Sequence, residues 1–368
     1  MIYFDHSSTT PIHSEVSKRM YEINQDHFAN PSSVYESGRK AKSLIEHARF
    51  QIAEAVGAKS SQIYFCSGGT EANNQVLWSL INQKNKHIII SAIEHPAISK
   101  VLERLKVFGV ESTLVPVDKQ GVINTSILLD SIRDDTGLIS IMLANNEIGS
   151  LQPIRKIIKQ INKPNVPFHT DAVQSIGKMS VDVYELGIDY MSLSAHKFYG
   201  PKGVGALFVK NRDKFSSFIV GGNQENGLRG GTENIAGIVG MGLAAELAVK
   251  NQEKCIAKLN LLEKHFLSNI RQSFPLAKHN AKNNLPGLLS ISFPGYKSDI
   301  LMAKLDRLNF AVSNGSACNA GIIKPSKVLK AIGLEDEINL STLRISFGKD
   351  NTIEEVDQFI KTLNDILN

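Results

Sequence analysis

The chain reads as an α/β protein on three observations. Short apolar runs of strand length alternate with stretches of helical apolar period, and the runs repeatedly end in polar or glycine-containing turns. A length of 368 residues with 42% hydrophobic content is enough for one large α/β domain and a smaller one. The alternation of strand and helix signals predicts a doubly wound sheet.

Residues 2–4 read as a short strand, and residues 5–11 as a turn rich in hydroxyls. Helices are expected over 14–27 and 34–56, the second carrying Leu44, Ile45, Ala48, Ile52, Ala55 and Val56 at helical spacing and stopping at Gly57. A strand at 62–66 runs into Ser67-Gly68-Gly69-Thr70 and a helix to about residue 80. That order of strand, glycine turn and helix start presents free N–H groups and a positive dipole end, which suits a phosphate, although the same string also serves as a plain helix cap.

The next strand, 86–91, ends in Glu94-His95-Pro96 at a new helix start. A strand at 110–115, a turn at 118–121, a helix at 126–132 and a strand at 137–143 continue the pattern, followed by Asn145-Asn146-Glu147-Ile148-Gly149. Phe168-His169-Thr170-Asp171 is again a strand ending in polar residues, and Tyr190-Met191-Ser192-Leu193-Ser194 leads through Ala195 and His196 to Lys197 and a glycine-rich turn. After a strand at 205–209 comes the polar, glycine-rich loop 221–232, then a long helical region at 233–274. The remainder offers a strand at 288–293, a helix at 298–308, the small-residue loop 314–321 with Cys318, a helix at 326–332, a strand at 343–347 and a last helix from 352. Gly315, Ser316, Ala317, Ala320 and Gly321 permit a mobile loop that exposes Cys318, whereas Cys66 and Cys255 read as small buried hydrophobes.

The balance of 41 Lys+Arg against 36 Asp+Glu gives a net charge of +5 without long runs, which leaves no nucleic-acid or membrane footprint in charge. Three widely spaced cysteines argue against a disulfide framework or a structural metal site. The first residues lack the pattern of a secretory leader, and no apolar run reaches bilayer length, so a cytoplasmic protein is expected.

In an open α/β sheet, ligands bind beyond the carboxyl ends of the strands, so Asp171 and Lys197 can face one crevice. Lys197 alone is equally a surface lysine snorkelling off a strand end. Beside apolar strand residues its pKa falls toward the neutral amine that forms a Schiff base. An aspartate for a pyridine nitrogen and a lysine for an aldehyde are the two groups that pyridoxal phosphate requires of a protein.

The strings Ser194-Ala195-His196-Lys197, Asp171-Ala172-Val173-Gln174-Ser175, Asn145-Asn146-Glu147-Ile148-Gly149 and Gly315-Ser316-Ala317-Cys318 resemble those of cysteine desulfurases of the NifS/IscS type. The resemblance runs in order from Asp5-His6-Ser7-Ser8-Thr9-Thr10-Pro11 to Arg344-Ile345-Ser346-Phe347-Gly348. It implies the pyridoxal-phosphate fold type I of class V aminotransferase-like enzymes. Such a fold has a large domain with a mixed, mostly parallel, doubly wound sheet, here residues 13–255, and a smaller α+β domain, here 1–12 with 256–368.

It further implies pyridoxal 5'-phosphate held by Lys197, Gly69, Thr70, His95, Asn146, Asp171, Gln174, Ser194 and His196, with Thr232 reaching the phosphate of the other subunit of a homodimer. Gly230 stands where the family commonly has serine. Arg344 and Asn146 would hold the L-cysteine substrate, Lys197 and His95 would move protons, and Cys318 would take the sulfur as a persulfide. An iron–sulfur scaffold or a tRNA sulfurtransferase would then accept it, with no resident metal, no membrane and no direct nucleic-acid contact. A selenocysteine lyase, another aminotransferase of the class, or a scaffold that has lost the chemistry are the alternatives; pocket shape decides among substrates, and fold alone would not decide activity.

Overall fold

The computed structural model describes residues 1–162, 166–315 and 324–367. The strands among them are β1 (Ile2–Tyr3), β2 (Ile63–Cys66), β3 (His87–Ser91), β4 (Glu111–Val115), β5 (Thr136–Ser140), β6 (Phe168–Asp171), β7 (Tyr190–Ser194), β8 (Gly205–Val209), β9 (Lys278–His279), β10 (Leu288–Ser292), β11 (Phe310–Ala311) and β12 (Thr342–Ser346). Seven of them form one sheet in the order β2-β8-β7-β6-β5-β3-β4. Strands β7, β6, β5, β3 and β4 run parallel, while β8 lies antiparallel between β7 and β2. This is the mixed, mostly parallel sheet expected from the sequence. Its inner strands are buried along their whole length, as helices on both faces require.

The helices Ser14–Asp26, Glu36–Val56 and Ile235–Lys250 cover one face, where Ala48, Ile52, Met241 and Ala244 join Ile139, Met191 and Phe208 in a single core. The helices Gly69–Trp78 and Pro96–Leu105 cover the other with Val76, Leu77, Ile98 and Leu102. A separate apolar cluster gathers Phe4 with Leu259, Phe266, Leu289, Phe310, Leu343, Phe347 and Phe359. Around it stand the sheet β12-β10-β9, the pair β1-β11 and the helices Gln252–Ser273, Ser298–Arg307 and Ile353–Leu367. No helix among the described residues is long and apolar enough to cross a membrane.

Two departures from the sequence reading have local causes. The helical region expected over 233–274 is two helices divided at Asn251, whose side-chain amide donates to the Leu247 carbonyl and ends the first helix. The strand expected over 137–143 is β5, ending at Ser140, although the amides of Ile141 and Leu143 still donate to His169 and Asp171.

The N-terminal segment is fixed by the second cluster. Phe4 is fully buried, with its ring 5.0 Å from that of Phe347 and 5.5 Å from that of Phe359, both edge-on. The residues that follow it therefore enter the site from a rigid base. Phe4→Ala is expected to cost about 3–5 kcal/mol in the unit containing these rings, read as a lowered urea midpoint. An unchanged midpoint would mean that the segment does not contribute to that core.

Candidate active site

The functional side chains lie where the parallel strands end. His95 follows β3, Asn146 follows β5, Asp171 closes β6, and Ser194 closes β7 with His196 and Lys197 one turn further on. The helix Gly69–Trp78 points its N-terminus at the same place, and a cavity of about 210 Å³ results. It is lined by Gly69, Thr70, His95, Asn146, Asp171, Gln174, Ser194, His196 and Lys197, together with Asn73, Met142, Ala144 and Val173. Nine residues named from the sequence are thus brought together.

Lys197 Nζ donates to the main-chain oxygens of Ser7 and Ser8, each at 2.6 Å. Loss of solvation, then repulsion from Arg344 and Lys178, brings its ammonium from 10.5 down to about 7, against an opposing pull from Asp5 and Asp171. The Asp171 carboxylate is held on both oxygens: Oδ2 accepts from Asn73 Nδ2 at 2.7 Å and Oδ1 from the Val173 amide at 3.0 Å. His95 caps the helix Pro96–Leu105, its Nδ1 accepting from the Ala97 amide at 3.1 Å. That bond leaves the proton of a neutral imidazole on Nε2, and burial lowers the pKa to favour this form.

The other end suits an anion. Gly69 begins the helix, and a Cβ there would stand 2.6 Å from Val173 Cγ2, so only glycine lets the helix start approach so closely. Ser194 is buried beside it, and His196 Nδ1 lies 3.1 Å from Thr9 Oγ1. A lysine of lowered pKa, a fixed carboxylate and a helix N-terminus with hydroxyl donors fit the aldehyde, ring nitrogen and phosphate of pyridoxal phosphate. Asn73 Oδ1, buried next to Asp171 without a partner among the described residues, leaves one acceptor on the same wall.

Arg344, on β12, lies behind this lining. Its Nη1 donates to the Asn146 carbonyl at 2.9 Å and its Nη2 to Asp5 Oδ1 at 2.8 Å and to Ser8 Oγ, while the buried Nε has no partner among the described residues. Asp5, Ser7 and Ser8 are site residues that the sequence reading passed over as a turn. Ser7 Oγ donates to the Asn146 carbonyl at 3.0 Å, and Gln174 Nε2 donates to the Ser7 carbonyl at 2.9 Å. The hydroxyl-rich composition of residues 5–11 was the available signal.

Two carboxyls beside the named residues also escaped notice. Burial pushes Glu94 up to about 8 and Glu147 up to about 7, the latter with Oε2 2.5 Å from Ser326 Oγ. Thr232 is exposed and does not line the cavity. Cys318 lies outside the described residues. Cys66 is buried, as expected, whereas Cys255, expected to be buried too, is only partly so and lines a second cavity.

The neutral amine is the nucleophile toward an aldehyde. Covalent capture of added pyridoxal phosphate by the apoprotein, trapped with borohydride, should therefore rise about tenfold per pH unit below about 7 and level off above it. A profile still climbing near 10 would show that Lys197 is not desolvated, and Lys197→Ala should capture nothing at this position.

The aminotransferase class-V family model matches residues 2–359. The cysteine desulfurase IscS of Dictyoglomus turgidum is 41% identical over 371 residues, covering 100% of this chain and 94% of that protein. The one from Methanosarcina thermophila is 41% identical, covering 100% and 92%. Among solved structures, one titled NifS-like protein superposes with a TM-score of 0.94 at 34% identity, covering 100% of this chain and 99% of the other. Another, described as SspA in complex with cysteine, gives 0.83 at 35% identity over 96% and 100%. Full-length agreement at this level, with the strand-end constellation intact, places the chain in the aminotransferase class-V family, among its pyridoxal-phosphate-dependent cysteine desulfurases.

Proposed function

We propose that this protein takes sulfur from L-cysteine, releases L-alanine and carries the sulfur on Cys318 as a persulfide. The observation that bears most weight is Lys197, an amine brought down to about 7 that shares one cavity with Asp171, His95 and the helix N-terminus at Gly69. Bound pyridoxal phosphate supplies an aldehyde and an electron sink.

The chain's own residues do the rest. Asp171, fixed by Asn73 and Val173, keeps a proton on the ring nitrogen, and Gln174 bonds the ring hydroxyl. Ser194, His196 and the amides at Gly69 and Thr70 take the phosphate. Lys197 Nζ, once released from the Ser7 and Ser8 carbonyls, moves the proton at the substrate Cα, and Nε2–H of His95 assists. Arg344, held in orientation by Asp5 and the Asn146 carbonyl, receives the substrate carboxylate, with the Asn146 side chain beside it. In the sulfur step the Cβ–S bond breaks and an S–S bond forms to Cys318. The electron pair stays on Cβ, where the Cys318 thiol proton ends, giving alanine.

The division into residues 13–255 and 1–12 with 256–368 is supported by the two separate apolar clusters, one under the large sheet and one around Phe359. A homodimer, with Thr232 completing the phosphate site of the other copy, is supported by the exposure of Thr232. Phe28, Val34 and Val220, left 82%, 86% and 85% exposed, add to that support. The persulfide is passed to an acceptor protein, as the next user of this sulfur.

Cys318→Ala is expected to keep the cofactor absorbance and lose sulfide and alanine release from L-cysteine with a reductant. Full turnover in that variant would exclude Cys318 as the nucleophile. Arg344→Gln should lose about 2–5 kcal/mol in kcat/KM for L-cysteine. An unchanged kcat/KM would move the carboxylate elsewhere.

A further inference from the structure

A second cavity, of about 370 Å³, lies on the other side of Lys197, between the helix Ile235–Lys250 and the start of the helix Gln252–Ser273. Its volume falls within the size range of small-molecule sites. Its walls are apolar, from Ile176, Leu247, Leu259 and Phe347. Its polar groups are mostly cationic: Lys178, Lys254, Lys258 and Lys349 join Lys197, and among the described residues no aspartate or glutamate lines it.

Of these charges Lys178 is poorly matched within the fold. Among the described residues Lys178 Nζ donates to Gln174 Oε1 alone, at a long 3.5 Å, and loss of solvation brings its ammonium down to about 8. Lys258 Nζ donates to the Lys349 carbonyl at 2.7 Å. Lys349 pairs with the exposed Asp350 at 2.8 Å and stands 5.3 Å from the centre of the Tyr199 ring. The Cys255 thiol, raised by burial, is pulled back by Lys178, Lys349 and Lys258 against Asp350, so these three lysines act on the same wall of the cavity they line. Cations gathered against an apolar surface, with no carboxylate in the lining among the described residues, make a site for an anion that brings an apolar body with it.

We propose that this cavity is a second ligand site that binds a small organic carboxylate. The acid group sits among Lys178, Lys258 and Lys349, and the apolar body lies against Leu247, Leu259 and Phe347. It is separate from the site of the desulfurase reading, and the two share Lys197 as a wall.

The test is calorimetric titration of the holoenzyme with 4-phenylbutyrate as probe and 4-phenylbutan-1-ol as its uncharged counterpart. The expected result is saturable binding of the acid with Kd below about 1 mM and binding of the alcohol at least about tenfold weaker. Lys178→Met removes the central charge, and Ala248→Leu, which fills the cavity without touching a charge, keeps the test decisive should the first variant fold poorly. Each should weaken the acid by about tenfold or more.

A second readout is alkylation of Cys255 by iodoacetamide, followed by peptide mass. The acid should slow it at concentrations that saturate the heat signal. Absence of saturable binding, equal binding of acid and alcohol, or unprotected Cys255 would overturn the proposal. So would binding that survives both cavity variants but is lost in Arg344→Gln, because that places the acid in the substrate site.

Discussion

The active centre depends on one unfavourable arrangement: an amine withdrawn from water beside other cations. Lys197 has lost most of its solvation, faces Arg344 and Lys178, and is brought down to about 7. The carbonyls of Ser7 and Ser8 hold it, and these belong to a segment that arrives from the far end of the sequence. That segment is anchored on one side by Phe4 in the aromatic cluster and on the other by Arg344, which reaches Asp5 and Ser8. The reactive group of the large sheet is therefore positioned by residues that pack with the C-terminal cluster. A catalytic base needs a pKa near the working pH, and here burial and neighbouring charge supply it together.

Everything else at the site follows from strand polarity. Parallel strands bring their carboxyl ends to one edge, and the helices that follow them present their amino ends to the same edge. Positive helix termini and fixed side-chain donors therefore surround the cavity without a separate framework. Asp171 is fixed beside this edge because Asn73 and the Val173 amide take both its oxygens. Burial raises Glu94 to about 8 and Glu147 to about 7, although Ser91, Met142 and Ser326 donate to them.

Much of this was legible in the sequence, for physical reasons. The strands are short apolar runs with polar ends, so the sequence alone assigns Asp171 and Lys197 to strand termini. The glycine turn before residue 70 announced the helix start. What could not be read were contacts between residues far apart in the chain. Asp5 and Arg344 are 339 positions apart, and the parallel pairing of the two-residue strands β1 and β11 has no periodicity to reveal it. The break at Asn251 rests on one side-chain bond to Leu247 within an unbroken helical pattern. Short helices such as Ile154–Ile158 and Val183–Leu186 do not span enough turns to show a repeat. Thr232 could be named only through the family resemblance, and its exposure in a single chain agrees with a place outside this cavity.

The most direct test of the central claim is a single turnover. The holoenzyme is mixed with one equivalent of L-cysteine per site without reductant, quenched, and its cysteine peptides and released amino acid are identified by mass. One added sulfur atom on the Cys318 peptide with one alanine per site is the expected result. Alanine without added sulfur, or sulfur on Cys255 or Cys66 instead, would contradict a transfer in which Lys197 frees the sulfur and Cys318 receives it.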